Sequence, residues 1–111
     1  TIAREGLKTP REEVEALGAG GLSGPPLAQR SLAVLRRLRA RVGDRLEIVS
    51  VGGVTTPEDV LERLRAGACL VQVYTGFVYG GPLWAWRCNR ALARAFREAG
   101  ARSASELAER P

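Results

Sequence analysis

Two short glycine-containing segments of this sequence carry residues suited to binding an anion. Gly52-Gly53 ends one apolar segment, and Thr75-Gly76 ends the next. Glycine lets the backbone approach a phosphate closely and point successive N–H groups at it, and the Thr75 hydroxyl adds a further donor. Each pair could equally form a plain tight turn, but the repetition after a second apolar segment favours a phosphate site.

The segments that follow these glycines differ in charge. Glu58 and Asp59 occupy the first turn of a helix predicted at residues 57–66, where they would repel an anion. We therefore expect a phosphate to contact the loop at Gly53, and a side chain added there to fill the space that the phosphate needs. The stretch GFVYGG at residues 76–81 has room for a short helix whose start carries no acidic residue, which makes it the better anion site.

Hydrophobic periodicity predicts the elements that position these segments. A loop region at residues 1–25, with a short helical turn at 11–17, precedes helix, strand, helix, strand and helix over residues 26–111. The predicted bounds are 26–42, 46–51, 57–66, 70–74 and 82–99, with a further short helix at 103–109. Because loops at the carboxyl ends of parallel strands carry the ligand sites of α/β proteins, both glycine segments are expected at one edge of the sheet.

Capping residues and apolar stripes support the predicted helices. Thr56, Pro57 and Asp59 approximate a capping box, and Ser103 and Glu106 fit a second one. The arginines are expected on solvated helical faces. The expected core contacts are Leu27, Val34, Leu35, Leu38 and Val42 in the first long helix, Val60, Leu61 and Leu64 in the second, and Leu83, Trp86, Leu92 and Phe96 in the third.

The two predicted strands lack partners. Both are apolar throughout, so both faces and both edges require cover, and a single βαβ unit makes a poor sheet on its own. The chain also contains no methionine, even at position 1. These features predict that the chain is part of a longer protein and that the isolated chain self-associates.

Composition argues against several classes of function. The 111 residues include no histidine, which disfavours a zinc site or histidine-based catalysis, and the apolar runs are too short to span a membrane. Cys69 and Cys88 lie in apolar segments and are expected to be buried, reduced thiols. The net charge is +5, but only two Phe, two Tyr and two Trp could stack on bases, so we expect no nucleic-acid partner.

Three longer motifs lie in series along the chain: GGLSGPPL at residues 20–27, IVSVGGV at 48–54 and RAGACLVQVYTGFVYGGP at 65–82. Together they resemble the class 2, quinone-dependent dihydroorotate dehydrogenases, over nearly the whole chain. The resemblance implies an α/β fold, namely strands seven and eight with their helices in the C-terminal part of an FMN-dependent (β/α)8 TIM barrel. It also implies oxidation of dihydroorotate to orotate, with quinone as acceptor, in pyrimidine biosynthesis.

The resemblance assigns site residues as well. It places Gly24 beside the flavin, and Gly53, Tyr74 and Thr75 around the FMN phosphate. In that family the catalytic serine, a lysine near the flavin and an Asn-Thr pair that holds orotate precede the segment matched by this chain. No catalytic residue is therefore expected here, and the isolated chain is expected to be inactive. The resemblance further implies a peripheral location at the cytoplasmic side of the cell membrane, through an N-terminal segment that this sequence does not include.

Two alternatives remain open at this point. A stand-alone phosphate- or nucleotide-binding βαβ module without catalysis would account for the glycine segments alone. A basic RNA-binding piece would account for the charge but lacks aromatic platforms. The unpartnered strands favour the dehydrogenase interpretation over both.

Overall fold

The computed structural model describes residue 4 and residues 7–108. Predictions for residues 1–3, 5 and 6, and for the end of the last predicted helix at 109, lie outside the described residues. The elements within the described part are α1 (Arg11–Ala16), α2 (Ala28–Val42), β1 (Val49–Val51), α3 (Pro57–Arg65), β2 (Leu70–Gln72), α4 (Thr75–Gly80), α5 (Trp84–Ala99) and α6 (Ala104–Leu107). None of the helices in residues 7–108 combines the length and apolarity that crossing a bilayer requires.

The two strands form a parallel pair joined by α3, which is the predicted βαβ unit. The paired residues are Val49 with Leu70, Ser50 with Val71, and Val51 with Gln72. Both strands are shorter than the predicted 46–51 and 70–74. The reason is that, within the described residues, each strand has a partner on one edge only, so the hydrogen-bonded ladder is short.

One face of this sheet is apolar and uncovered. Val49, Val51 and Leu70 are 52%, 55% and 64% exposed, whereas Ser50, which points to the opposite face, is buried. This exposed apolar face agrees with the prediction that the two strands require cover that the described chain does not itself supply. A stand-alone module would leave this face in water, so its exposure argues against that alternative.

We expect the isolated chain to self-associate through this face. Burying apolar surface contributes about 25 cal/mol per Å², so an association that covers Val49, Val51 and Leu70 is favoured over hydration. Sedimentation velocity should show species larger than a monomer, and the double change Val49→Lys and Val51→Lys should shift the distribution toward monomer. Leu17→Lys, at an exposed position outside the sheet, is the matched control. A single monomer boundary for the unaltered chain at high concentration would contradict the expectation.

The apolar core of the described residues lies on the opposite side of the sheet. One part is formed by α3, α5 and the loop after β1, and the other lies beneath α2. The buried residues are Val54, Val60, Leu64, Trp84 and Cys88 in the first part, and Leu32, Leu35, Ile48 and Ala68 in the second.

Helix α2 buries only part of the predicted face: Leu35 is buried and Val42 packs against the core, as predicted. Leu32 and Leu35 are buried, whereas Val34 is 57% and Leu38 is 41% exposed, so the prediction of Val34 and Leu38 as core contacts is wrong. The inward face also carries Ser31, whose hydroxyl is hydrogen-bonded within the fold. Because this buried face includes a polar residue, the spacing of apolar residues in the sequence does not identify it.

Trp84, rather than Trp86, anchors α5. Trp84 is buried, and its indole N–H donates to the carbonyl oxygen of Thr55 at 2.7 Å. Trp86 is 56% exposed, with the Arg90 guanidinium 5.3 Å from its ring centroid, and Leu83 is also exposed. The prediction of Trp86 and Leu83 as core contacts is therefore wrong. The acceptor for the buried indole lies in a distant loop, so spacing within the helix does not indicate which tryptophan turns inward.

The capping box predicted at the start of α6 is not formed. The Ser103 hydroxyl pairs with the hydroxyl of Ser105 at 2.9 Å. The Glu106 carboxylate accepts from the backbone N–H of Arg102 at 2.7 Å, one residue before the predicted partner. Two nearby polar groups thus take the hydrogen bonds that the capping box would use.

The two cysteines are free thiols in different environments. Cys88 is buried as predicted, and burial raises the pKa of its thiol. Cys69 is only partly buried, with its Sγ 3.2 Å from the carbonyl oxygen of Ile48, so the prediction of two fully buried thiols is wrong for Cys69.

Candidate cofactor-binding site

Three loops meet at the edge of the sheet where both strands end. Gly24 lies before α2, Gly53 follows β1, and Tyr74 and Thr75 follow β2. All four residues line one groove with a volume of about 530 Å³. The fold therefore brings together the four residues that the sequence suggested for cofactor binding.

Gly24 and Thr75 join the first and third loops. Gly24 is buried, has φ +81°, and a Cβ there would lie 3.0 Å from the Thr75 Cγ2 atom. The Thr75 hydroxyl donates to the Ser23 hydroxyl at 3.3 Å. A larger residue at position 24 would strain the backbone and separate the two loops.

Gly53 packs against the start of α2. Its φ is +73°, and a Cβ would lie 2.8 Å from the carbonyl carbon of Leu27 and closer still to the backbone of Ala28. A side chain at Gly53 would thus collide with helix backbone. The expectation that it would fill the space of a phosphate is wrong, because the missing Cβ points toward α2.

Side chains of α2 and α3 donate hydrogen bonds to the loop after β1. The carbonyl oxygen of Gly52 accepts hydrogen bonds from the Ser31 hydroxyl at 2.7 Å and from the Arg63 guanidinium at 3.2 Å. Arg63 is 2% exposed, so its prediction as part of a solvated face is wrong. The sequence feature that could have indicated its burial is its position three residues after Val60 and one before Leu64, on the inward face of α3.

The predicted capping box at the start of α3 is confirmed. The Thr56 hydroxyl accepts from the N–H of Asp59 at 3.1 Å, and the Asp59 carboxylate accepts from the N–H of Thr56 at 2.9 Å. The same carboxylate also accepts from the N–H and hydroxyl of Thr55. Burial raises the pKa of Asp59, but the hydrogen bonds from Thr55 and Thr56 outweigh it, and the net pKa is lowered.

We expect Asp59 to stabilise this loop only when ionised. Because the folded-state pKa is lowered, the contribution is present above the ordinary carboxyl pKa of 3.8 and is lost as the pH falls through the lowered value. Asp59→Ala should reduce the free energy of unfolding by about 1 kcal/mol at pH 7 and by less at pH 3. Urea denaturation at both pH values measures this, with Glu58→Gln as a control in the same turn. Equal losses at both pH values would contradict the assignment.

Helix α4 begins within the loop after β2. The carbonyl of Tyr74 accepts from the N–H of Val78 at 3.1 Å, whereas the N–H groups of Thr75 and Gly76 precede the helical hydrogen bonds. The first turn of α4 contains no acidic residue, as predicted. A Cβ at Gly76 would collide with the carbonyl oxygen of Val54, so this loop packs directly on the loop after β1.

Parallel strands joined by a helix, with three loops converging at their carboxyl ends, define part of an α/β barrel or an open α/β sheet. A solved structure of the dihydroorotate dehydrogenase (DHODH) of Eimeria tenella, described as the ligand-free type, matches this fold with a TM-score of 0.83 and 31% sequence identity. The match covers 100% of this chain and 31% of that chain. The predicted fold class, part of a (β/α)8 barrel, is confirmed.

Sequence comparison identifies the family. A family profile described as dihydroorotate dehydrogenase matches residues 1–96, and the chain belongs to the dihydroorotate dehydrogenase family. The dihydroorotate dehydrogenases (quinone) of Rhodococcus opacus and Thermobifida fusca are 63% and 61% identical to it, each over 106 residues. These matches cover 96% of this chain but 30% and 28% of the relatives, so the chain spans about three tenths of their length.

Proposed function

We propose that this chain forms the part of a dihydroorotate dehydrogenase that holds the phosphate end of FMN. The observation that carries the proposal is the convergence of Gly24, Gly53, Tyr74 and Thr75 on one groove at the carboxyl ends of two adjacent parallel strands. The whole protein then oxidises dihydroorotate to orotate, with a quinone as electron acceptor, in pyrimidine biosynthesis. The names and high identity of the relatives support this activity.

The residues of the groove fit a phosphate dianion. The N–H groups of Thr75 and Gly76 have no helical partner, and the Thr75 hydroxyl is within the same loop. None of the described residues that line the groove is acidic, and Arg30 is among them. Backbone N–H groups, a hydroxyl and a basic side chain are the donors that phosphate oxygens require.

The redox reaction takes place at the flavin ring, whereas the residues of this chain bind the phosphate. When bound, FMN supplies the ring that accepts two electrons from the substrate. The described residues bind and orient the phosphate at the opposite end of the cofactor. Binding that is equal in the ground and transition states does not alter the chemical step, so these residues should govern cofactor retention more than turnover.

We further propose that the whole protein is peripheral to the membrane at its cytoplasmic side. The support is that the relatives are quinone-dependent by name, since quinone acceptors are apolar molecules that partition into the bilayer. Cell fractionation of the whole protein would test this location: recovery in the membrane pellet, with release by high salt or alkaline carbonate, supports it, and recovery in the soluble fraction contradicts it.

A chimera tests the proposed function directly. In it, this chain replaces the matching segment of the Rhodococcus opacus relative, to which it is 63% identical. We expect the purified chimera to contain bound FMN and to reduce a quinone with dihydroorotate as electron donor. A folded chimera without bound FMN, when the unaltered relative carries it, would contradict the proposal.

A further inference from the structure

Arg63 of α3 is the one charged side chain that is buried among the residues the structure describes. Its Nη2 donates to the carbonyl oxygens of Ala28 at 2.8 Å and Gly52 at 3.2 Å, and its Nη1 donates to the Ser31 hydroxyl at 2.8 Å. The Ser31 hydroxyl in turn donates to the Gly52 carbonyl at 2.7 Å. Arg63 therefore ties the loop after β1 to the first turn of α2.

Arg63 has no contact ion-pair partner within the described part of the chain, and Asp59 and Glu62 of the same helix attract its charge only at longer range. No described carboxylate lies within ion-pair distance of its guanidinium. On the same helix, Glu62 pairs with Arg36, and the Asp59 carboxylate accepts from Thr55 and Thr56. A buried cation without a contact ion pair is costly, and this one donates to the Gly52 carbonyl in the loop that carries Gly53.

The hydrogen bonds to Gly52 also fix the orientation of the next N–H group. In a trans peptide the carbonyl of one residue and the N–H of the following residue point in opposite directions. The Gly52 carbonyl points toward Ser31 and Arg63, so the Gly53 N–H points away from them. Holding the carbonyl thereby presents the N–H as a donor on the other side of the loop.

We propose that Arg63 is a positioning residue for the cofactor phosphate: it holds the Gly52–Gly53 peptide so that the Gly53 N–H meets the phosphate, and it supplies the buried positive charge behind it. This inference rests on the proposed function, because it takes the phosphate of FMN as the anion. It predicts that Arg63 governs recognition of the phosphate and not of the flavin ring.

The test compares two flavins that differ only in the phosphate. Apoprotein of the chimera is titrated with FMN and with riboflavin, and binding is followed by flavin fluorescence. Arg63→Met should weaken FMN binding by about ten- to a hundredfold, as expected for loss of a charge-assisted interaction, and should change riboflavin binding less than threefold. Arg63→Lys keeps the charge and should restore most of the FMN affinity. Arg65→Met, which removes an exposed charge from the same helix, should leave both affinities unchanged.

The outcomes separate this inference from the proposed function. If the unsubstituted chimera does not bind FMN, the proposed function fails. If it binds FMN but Arg63→Met weakens FMN and riboflavin equally, or weakens neither, the positioning role is overturned. If Arg63→Met does not fold, the same two titrations are made with Ser31→Ala, which removes the second donor to Gly52 without altering the charge. A three- to tenfold loss of FMN affinity with unchanged riboflavin affinity supports the role, and unchanged FMN affinity overturns it.

Discussion

Gly53→Ala is expected to abolish FMN retention in the chimera. The added Cβ would collide with the backbone of Leu27 and Ala28, and alanine is strained at φ +73°. The collision and the strain together are expected to destabilise the loop by about 2–5 kcal/mol. Because the helix backbone cannot move aside as a flexible side chain could, the loop that carries the Gly53 N–H must shift instead.

Two further variants separate the collision from other effects. Gly18 has the same φ of +73°, but apart from its chain neighbours no atom of the described residues lies within 4 Å of its Cβ position, so Gly18→Ala reports backbone strain alone and should retain FMN. Gly53→Asp should be hardly worse than Gly53→Ala, since the damage begins at the Cβ atom and not at the added charge. FMN content after purification measures all three. Normal FMN content in Gly53→Ala would contradict the packing of Gly53 on α2.

Thr75→Val is expected to weaken FMN binding ten- to a hundredfold while turnover of FMN-loaded chimera stays within a few-fold. Valine keeps the Cγ2 methyl group that faces Gly24 and replaces the hydroxyl with a second methyl group of similar size. A hydrogen bond to a charged group contributes about 1.5–3 kcal/mol, which sets the size of the loss. The reacting ring lies at the other end of the cofactor, so the chemical step should be little affected.

Titration of apoprotein with FMN gives the affinity, and stopped-flow reduction by dihydroorotate at saturating FMN gives the rate. Ser23→Ala is the control, because it removes the hydroxyl that accepts from Thr75 in the described structure. If Thr75→Val binds FMN normally but is reduced slowly, Thr75 lies near the ring or the substrate. That outcome would place this loop at the wrong end of the cofactor.

The parts of the fold that depend on neighbours in sequence could be predicted from the sequence. The capping box of Thr56 and Asp59 joins residues three apart, and it forms as expected. The short helix α4 forms where the GFVYGG stretch is predicted to have room for one, and its first turn carries no acidic residue. The order of strands and helices follows from apolar periodicity, and parallel pairing then brings both glycine loops to one edge.

The parts that depend on distant partners could not be predicted in the same way. Whether Arg63 is buried depends on the carbonyl of Gly52 and the hydroxyl of Ser31, which lie on other elements. The choice between Trp84 and Trp86 depends on the carbonyl of Thr55. In each case a polar atom from a distant segment determines which side of a helix is buried. The spacing of apolar residues within the helix carries no information about that distant atom.

If the loops after β1 and β2 hold the phosphate of FMN, a crystal structure of the chimera with bound FMN will show it there. We expect a phosphate oxygen about 3 Å from the backbone nitrogen of Gly53 and another at the same distance from Thr75. A phosphate bound elsewhere, with both loops free of contact to FMN, would contradict it.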